Sequence, residues 1–400
     1  MRLLCLTSRL PAPRDRGDRV RARGLLETFA RDHRVTLLTA CEDRTEVDRA
    51  RGLEGIVERV CPVLLPRWLS LTAVASQAWR PLPLQALYYR SSRFRRALAA
   101  LDPLSFDVIY LQLFRLAPYV FPLPAGPARP RRIVDLTDVV SGEIARSLPF
   151  RGPAGRWFWS REGRRIAAYE ESLGRQADEI WVVAEAERKA LLSRVPEAPV
   201  RVVPSGVDAA AFAPDGSLPV AGRLLFVGHL GVAHNADAAR WLVEEILPRV
   251  RARRPEAHVR LVGASPSRTV TRLGRRTAVE VAGFVPELAE ELRCAEVFMA
   301  PLRFCAGLQT KVLEAMAAAR PVVTTAEVAR GLDARPGTHL LVGDDAASLA
   351  ERTLELLADR PLAAALGRAA RRHVVERFSW ETARRRLLEL GETVPGRQRL

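Results

Sequence analysis

The chain has 400 residues, 48% apolar and 27% charged, with a net charge of +16; it is too long for one ordinary hydrophobic core and suits two α/β domains of roughly 200 residues each. That balance excludes a disordered or fibrous chain. The positive excess is almost all arginine, since Lys189 and Lys311 are the only lysines, and no basic block, zinc-finger, helix-turn-helix or RNA-recognition signature accompanies it, which argues against nucleic acid as a partner. Codon bias with scattered surface arginine accounts for the skew, while attraction to an anionic membrane face or an anionic lipid-linked substrate stays open.

The N-terminal Met1–Leu6 run is too short for the apolar core of a signal peptide and breaks at Arg9, Pro11 and Pro13. Cys5, Cys41, Cys61, Cys294 and Cys305 form no CxxC pair, so we expect reduced structural thiols and a cytoplasmic protein. No run of eighteen apolar residues exists to span a membrane. In chain order, strands are predicted at 3–8, 35–40, 56–65, 107–112, 132–136, 180–184 and 200–203. Between the first two of these lies a helix over 19–31, where Ala22, Leu25, Leu26 and Phe29 share a face. Segment 66–101 stands apart. It carries Trp68, Trp79, Tyr88, Tyr89 and Phe94 with six arginines and no acidic residue. That composition suits the membrane–water interface, and equally a helical insertion with arginines on its wet side.

Turn residues from Pro204 to Gly222 mark a join. Beyond it, strands are predicted at 224–228, 258–262, 279–282, 297–300 and 321–324. Helices fall at about 236–252, 286–293, 309–319, 346–358 and 362–377, with a last one at 380–390. Buried runs alternating with helices, twice over, predict an α/β chain of two Rossmann-like, doubly wound parallel-sheet domains. Their expected bounds are 1–205 and 206–378, with a C-terminal helix in 379–400 that caps the second domain or crosses back to the first.

The most informative stretch is Val297–Pro301, a loop to Leu308, then Gln309-Thr310-Lys311-Val312-Leu313-Glu314-Ala315-Met316-Ala317 and Arg320-Pro321-Val322-Val323-Thr324. It reads strand, loop, helix, strand. In doubly wound sheets, ligands sit outside the carboxyl ends of the strands, where helix N-termini favour a diphosphate. Gly307 allows close backbone approach, and Lys311 adds a mobile cation in the first turn. Glu314 lies on the same helix face, badly placed for phosphate and well placed to accept hydrogen bonds from ribose hydroxyls. A plain surface Lys–Glu pair is the competing account.

This stretch resembles the donor-binding motif of the retaining glycosyltransferases of family 4. Val202–Asp208 with Phe212 resembles that family's interdomain segment. Leu225–Leu230, Val259–Gly263, and Gly283-Phe284-Val285 ahead of Ala295–Phe298 resemble further pieces in the family's order. The match is good over 202–380 and only in outline before it. The resemblance implies the GT-B architecture, two Rossmann-like domains facing a central cleft, with Lys311, Glu314 and Gly17 as the catalytic-site residues. Glu314 would bind the donor ribose and Lys311 would lie near the diphosphate. Gly307, Leu308, Gln309 and Thr310 would offer donors to that diphosphate, and Val285 would hold the base. Gly17, in the Arg14–Arg19 loop after strand one, would lie against the sugar and phosphates.

Three departures stand out. The first of the family's two glutamates falls at Ala306, which cannot hydrogen-bond the transferred sugar. His229 and His234 stand where the family has arginine and lysine, with Asn235 as a further donor; histidine is the weaker cation at pH 7. Gln112 stands near the place of a first-domain histidine. A Gly-Asp start after a Pro-rich loop, the Gln-x-Lys-Val-Leu-Glu-Ala-Met stretch, the Asp135–Ser141 segment and Arg161–Arg165 resemble a branch associated with exopolysaccharide and exosortase gene systems. That likeness makes Asp138 and Glu143 acceptor-side candidates; a strand end and a helix cap would also account for them.

The function expected is retaining transfer of a sugar from a nucleoside diphosphate sugar to a saccharide or lipid-linked acceptor in bacterial polysaccharide or glycoconjugate biosynthesis. No DxD motif is present, so we expect no metal and no cofactor beyond the donor substrate. The setting would be the cytoplasm, with peripheral membrane contact through 66–101. A nucleotide-sugar epimerase on the same fold and a non-catalytic sugar-nucleotide or glycan-binding partner in a polysaccharide assembly complex are the rivals.

Overall fold

Runs such as Leu3-Leu4-Cys5-Leu6 leave at most 4% of any side chain exposed, a pattern that only a strand covered on both faces accommodates. In the computed structural model, which describes residues 1–13, 16–123, 129–305 and 307–391, the chain divides into two units, Met1–Val203 and the part from Pro204 onward. The first unit holds β1 (Arg2–Thr7), β2 (Arg34–Cys41), β3 (Arg59–Leu64), β4 (Val108–Gln112), β5 (Arg131–Thr137), β6 (Glu179–Val182) and β7 (Val200–Val202). They form one parallel sheet in the order β3-β2-β1-β4-β5-β6-β7, with Leu3 opposite both Val35 and Val108. The winding therefore reverses between β1 and β4, which opens a crevice at their carboxyl ends.

The second unit holds β8 (Arg223–Val227), β9 (His258–Val262), β10 (Val279–Gly283), β11 (Val297–Ala300), β12 (Val322–Thr324) and β13 (Leu341–Val342). Their order is β10-β9-β8-β11-β12-β13, again all parallel, and the reversal falls between β8 and β11. The α/β, twice doubly wound class expected from the sequence is what the structure has. The differences are local. The strand expected from Ile56 begins at Arg59, because Gly52–Ile56 forms hydrogen-bonded turns. The two-residue β13 is too short to leave a periodicity. The helix expected over 236–252 carries a π-helical turn at Leu242–Ile246. Pro248 has no N–H to give to the carbonyl four residues back, which fits a changed bonding pattern just before it. A 24-residue helix, Pro153–Gln176, the longest among the described residues, fills the gap before β6.

One charged contact lies wholly inside the first unit. Arg21, on the helix Gly17–Ala30, and Asp135, on β5, are both fully buried. Arg21 Nε donates to Asp135 Oδ2 at 2.7 Å, its Nη1 to the Val203 carbonyl at 2.8 Å, and Tyr110 donates its hydroxyl to Asp135 at 2.5 Å. The Thr137 amide also donates to Asp135 Oδ1 at 2.9 Å, in a turn where Thr137 takes a φ of 63°. Removing one member of such a pair strands the other in a dry interior. Arg21→Leu is expected to cost about 3–5 kcal/mol in urea unfolding, and adding Asp135→Leu should recover part of it. A loss below about 1 kcal/mol for the single variant would show that water reaches the site.

Candidate active site

The switch point of the second unit is built from two loops. One leaves β8 at Gly228 and enters the helix Ala233–Trp241; the other leaves β11 at Pro301 and enters the helix Thr310–Ala317. The first loop is drawn against β9. A Cβ on Gly263, at φ 145°, would stand 1.7 Å from the Gly228 carbonyl, and one on Gly228 would stand 2.8 Å from the Asn235 side chain. A side chain at Gly263 would meet backbone, and one at Gly228 would have to displace the buried Asn235 side chain. Asn235 is 4% exposed. Its amide donates to the His229 carbonyl at 3.1 Å.

The Thr310–Ala317 helix is set by its apolar half: Val312, Leu313, Ala315, Met316 and Ala317 are buried, which leaves Lys311 and Glu314 together on the remaining face. No side chain caps its start at Gln309. Lys311 donates to Asn235 Oδ1, and its ammonium lies 5.8 Å from the centre of the Phe226 ring, within cation–π range. Two loops that are distant in sequence are thus tied through one buried amide. A second tie runs beside it, from Arg303 to both oxygens of Asp237, with the guanidinium 5.2 Å from the Trp241 ring. Sequence reasoning did not single out Arg303 or Asp237. Bidentate partners 66 residues apart leave no signal in one sequence.

Glu314 is half-buried. Burial pushes its carboxyl up to about 8, and Lys311 offsets that only in part. Lys311 and Glu314 are thus half-buried rather than fully exposed, and the lysine is engaged by Asn235. Gly307 takes a φ of 53°, and its carbonyl approaches Gly331 so closely that a Cβ there would stand 2.7 Å away. Leu308 and Gln309 are each 9% exposed. Thr310 opens the helix. His229 and His234 are half-buried on the β8 side, His234 being the second residue of its helix. Val285 lies apart from these, in the loop after the edge strand β10, two strands from β8. Its neighbour Phe284 is 60% exposed, an apolar ring without cover. Ala306, where the sequence departs from the family pattern, lies outside the described residues.

In the first unit, Gly17 begins its helix at the β1 side of the other switch point; Arg14 and Asp15 of the same loop lie outside the described residues. Gln112 Nε2 donates to the Asp18 carbonyl at 2.5 Å, so this glutamine braces the helix start. Asp138 follows β5. Its Oδ1 is buried with no hydrogen-bond partner among the described residues. Burial, followed by the nearby Glu187 and Glu143 carboxylates, raises its acid well above the usual range, with Arg21 offsetting a part. It is no helix cap, because Val139 holds the cap position of the helix Val140–Ser147 and no side chain bonds there. Glu143 sits in the first turn of that helix.

Two all-parallel, doubly wound units are the fold of the GT-B glycosyltransferases. Residues 221–359 match the family Glycosyl transferases group 1. The chain is 31% identical over 164 residues to a GDP-mannose-dependent monoacylated alpha-(1-6)-phosphatidylinositol monomannoside mannosyltransferase of Corynebacterium glutamicum, covering 37% of this chain and 42% of that protein. It is 29% identical over 321 residues to a GDP-mannose-dependent alpha-(1-6)-phosphatidylinositol monomannoside mannosyltransferase of Mycolicibacterium smegmatis, covering 68% and 81%. The chain thus spans under half the length of the first of these relatives. Among solved structures, Anabaena HepE in complex with UDP-glucose has a TM-score of 0.68 at 15% identity, over 98% of this chain and 100% of that one.

Because the folded protein holds the Glu314 proton up to about pH 8 and the unfolded chain releases it near the ordinary glutamate value, the folded state binds more protons between those limits, and stability falls as pH rises through them. Wild type is expected to lose more thermal stability between pH 6 and pH 9 than Glu314→Gln does, as followed by circular dichroism. Parallel curves would show the carboxyl to be ionised throughout.

Proposed function

We propose that the chain is a retaining glycosyltransferase that takes a nucleoside diphosphate sugar, GDP-mannose in the first instance, and transfers the sugar to a hydroxyl of a lipid-linked or saccharide acceptor. The observation that carries this is the juxtaposition of Lys311, held by Asn235, with the uncapped start of its helix and with Glu314 one turn on. A diphosphate needs fixed positive partial charge, and a ribose needs a nearby hydrogen-bond acceptor. GDP-mannose is the donor named for both mannosyltransferase relatives.

In the reaction, the bond from the anomeric carbon to the diphosphate breaks and a bond from the acceptor oxygen forms on the same face. The acceptor proton passes to the departing diphosphate. Charge accumulates on that diphosphate, so Lys311, the amides of Gly307–Thr310 and the imidazoles of His229 and His234 are the groups that lower the barrier by standing ready before charge develops. Gly17 would admit the sugar close to backbone, and Val285 would hold the base with Phe284 beside it. No metal is required in this scheme. Asp138 and Glu143 would serve the acceptor side, where a neutral Asp138 can donate a hydrogen bond to a hydroxyl that its ionised form could only accept from. The setting would be bacterial exopolysaccharide or glycoconjugate assembly on the cytoplasmic side of the membrane.

Lys311→Ala is expected to lower turnover of GDP-mannose by about 10²-fold, the usual effect of losing one preset charge, and Glu314→Ala to weaken nucleotide binding in a thermal-shift screen across nucleoside diphosphates. Wild-type behaviour of both would place the diphosphate elsewhere. Tight nucleotide binding without transfer to any membrane extract would favour a binding partner instead, and exchange at the sugar C2 without acceptor would favour an epimerase.

Peripheral membrane contact belongs to the same proposal. Among the described residues no helix is long and apolar enough to cross a membrane. The helix Arg67–Gln77 exposes Trp68 and Leu71 by more than 60%, and Trp79 beyond it by 75%. The helix Pro153–Gln176 adds Trp157 at 68% and Phe158, and it joins this segment where Arg165 donates to the Ala78 carbonyl at 2.8 Å. Arg93, Arg95 and Arg96 are exposed on the helix Ser92–Ala100, whose Phe94 and Leu98 are buried. Trp68→Ser with Trp79→Ser is expected to reduce co-sedimentation with vesicles containing phosphatidylglycerol several-fold, and an unchanged bound fraction would return these aromatics to ordinary surface.

A further inference from the structure

Residues 301–309 join β11 to the helix Thr310–Ala317, and the described ones form neither strand nor helix. Leu302, Phe304 and Cys305 are at most 5% exposed, so the first part of the loop buries its apolar side chains without help from charge. The Thr325 hydroxyl also donates to the Leu302 carbonyl at 2.8 Å. Further on lie Gly307–Thr310, whose backbone amides are the candidate donors to a diphosphate. An amide lowers a barrier only if it is fixed before charge develops, and a loop left to itself loses backbone entropy on being fixed.

One helix, Ala233–Trp241, grips this segment on both sides. Asp237 takes Arg303, whose Nε donates to Oδ2 at 2.9 Å and whose Nη2 donates to Oδ1 at 2.5 Å. Asn235 takes Lys311. Arg303 precedes Gly307 and Lys311 follows Thr310, so the candidate amides lie between the two grips. Asn235 and Asp237 are two positions apart, roughly 200° around a helix, so the grips are separate contacts. The Arg303 guanidinium is fixed in plane as well as direction: it stands 5.2 Å from the centre of the Trp241 ring, and Trp241 is 6% exposed. A fork on a carboxylate with its face on an indole sets a geometry that an ammonium could not. The side chains of Arg303 and Asp237 are 24% and 11% exposed, and Arg240 meets Asp237 from the exposed side at 3.4 Å. A pair drawn this far from water adds little stability over an apolar contact. What it adds is position.

We infer that Arg303 and Asp237 are positioning residues for the diphosphate: their pair sets the Gly307–Thr310 amides, and through them the preference for a nucleoside diphosphate over a monophosphate, without either side chain touching the ligand. The inference rests on the transferase reading of the second unit's crevice as a donor site, and deepens it. Glu314 and the Val285 turn, assigned to ribose and base, lie outside the gripped segment, so a monophosphate that depends on them is indifferent to the pair.

The test titrates the full chain calorimetrically with GDP, GMP, UDP and UMP, and repeats this on Asp237→Asn, Arg303→Gln, Arg303→Lys and the double variant Asp237→Asn with Arg303→Gln. For whichever base binds, the wild type should prefer the diphosphate. Each single variant should lose about ten- to a hundredfold of diphosphate affinity and retain its affinity for the monophosphate. The double variant should lose no more than the worse single one, because both remove the same contact. Asp237→Asn separates position from charge. It removes a negative charge beside the crevice, so electrostatics alone predicts tighter diphosphate binding, whereas a lost grip predicts weaker binding. Arg303→Lys keeps the charge and loses the fork, so it should behave as Arg303→Gln does. Should Arg303→Gln fail to fold by its melting curve, the near-isosteric Asp237→Asn decides. Wild-type or tighter diphosphate binding by Asp237→Asn would overturn the inference. So would equal losses for mono- and diphosphate, which mark a merely structural role, or a loss in Arg303→Gln that Arg303→Lys does not share, which puts the Arg303 charge on the ligand itself. A wild type that binds neither GDP nor UDP would overturn the donor-site reading and this inference with it, and the wild-type titrations alone tell that failure from the others.

Discussion

A primary amine loses strong hydration when it is drawn into a recess, and the side chain returns to solvent unless an acceptor meets it there. In the second unit that acceptor is Asn235. It receives the Lys311 ammonium on its carbonyl oxygen and gives its amide to the His229 backbone, so one side chain joins the loop after β11 to the loop after β8. Gly228 and Gly263 make this feasible, because only their missing side chains let the β8 loop close on β9 and bring the helix carrying Asn235 into reach. The Arg303–Asp237 pair closes the same gap a turn further along. The crevice is therefore preorganised by the protein, the condition under which fixed charges stabilise a transition state most effectively.

Much of this was legible in the sequence, and the reasons are specific. Strands buried on both faces, such as Leu3–Leu6 and Val297–Ala300, announce themselves as apolar runs, and turn residues after them mark the carboxyl edge where ligands sit. Lys311 stood out because arginine had replaced lysine nearly everywhere else. The same logic found Glu314 by helical spacing. What it could not find were pairings set by tertiary folding: Arg303 with Asp237, Arg21 with Asp135, and Arg115 with Gln85 are separated by 66, 114 and 30 residues. Nor could spacing show that Glu314 is desolvated, since the depth of a helix face depends on what covers it. Asn235 appeared in the sequence as a further hydrogen-bond donor to a phosphate; in the structure its amide donates to the His229 carbonyl and its oxygen accepts from Lys311.

Two regions at the carboxyl edge of the first unit's sheet differ in charge. Among the described residues Asp18 meets Arg9, Arg16 and Arg115 near the β1–β4 reversal, whereas beyond β5 Asp138 faces Glu187 and Glu143. The buried Arg21–Asp135 pair joins the helix after β1 to β5 and has hydrogen bonds within the fold. Burying it confers position more than stability, since a well-packed apolar pair would serve stability as well. Its consequence is geometric: Asp135 accepts from the Thr137 amide and hydroxyl, and that turn at positive φ delivers Asp138 to its enclosed place.

An enclosed carboxyl beside two other carboxylates stays neutral more readily than it ionises, and a neutral acid changes what the site can offer. It can donate a hydrogen bond to an oxygen from which an ionised carboxylate could only accept one.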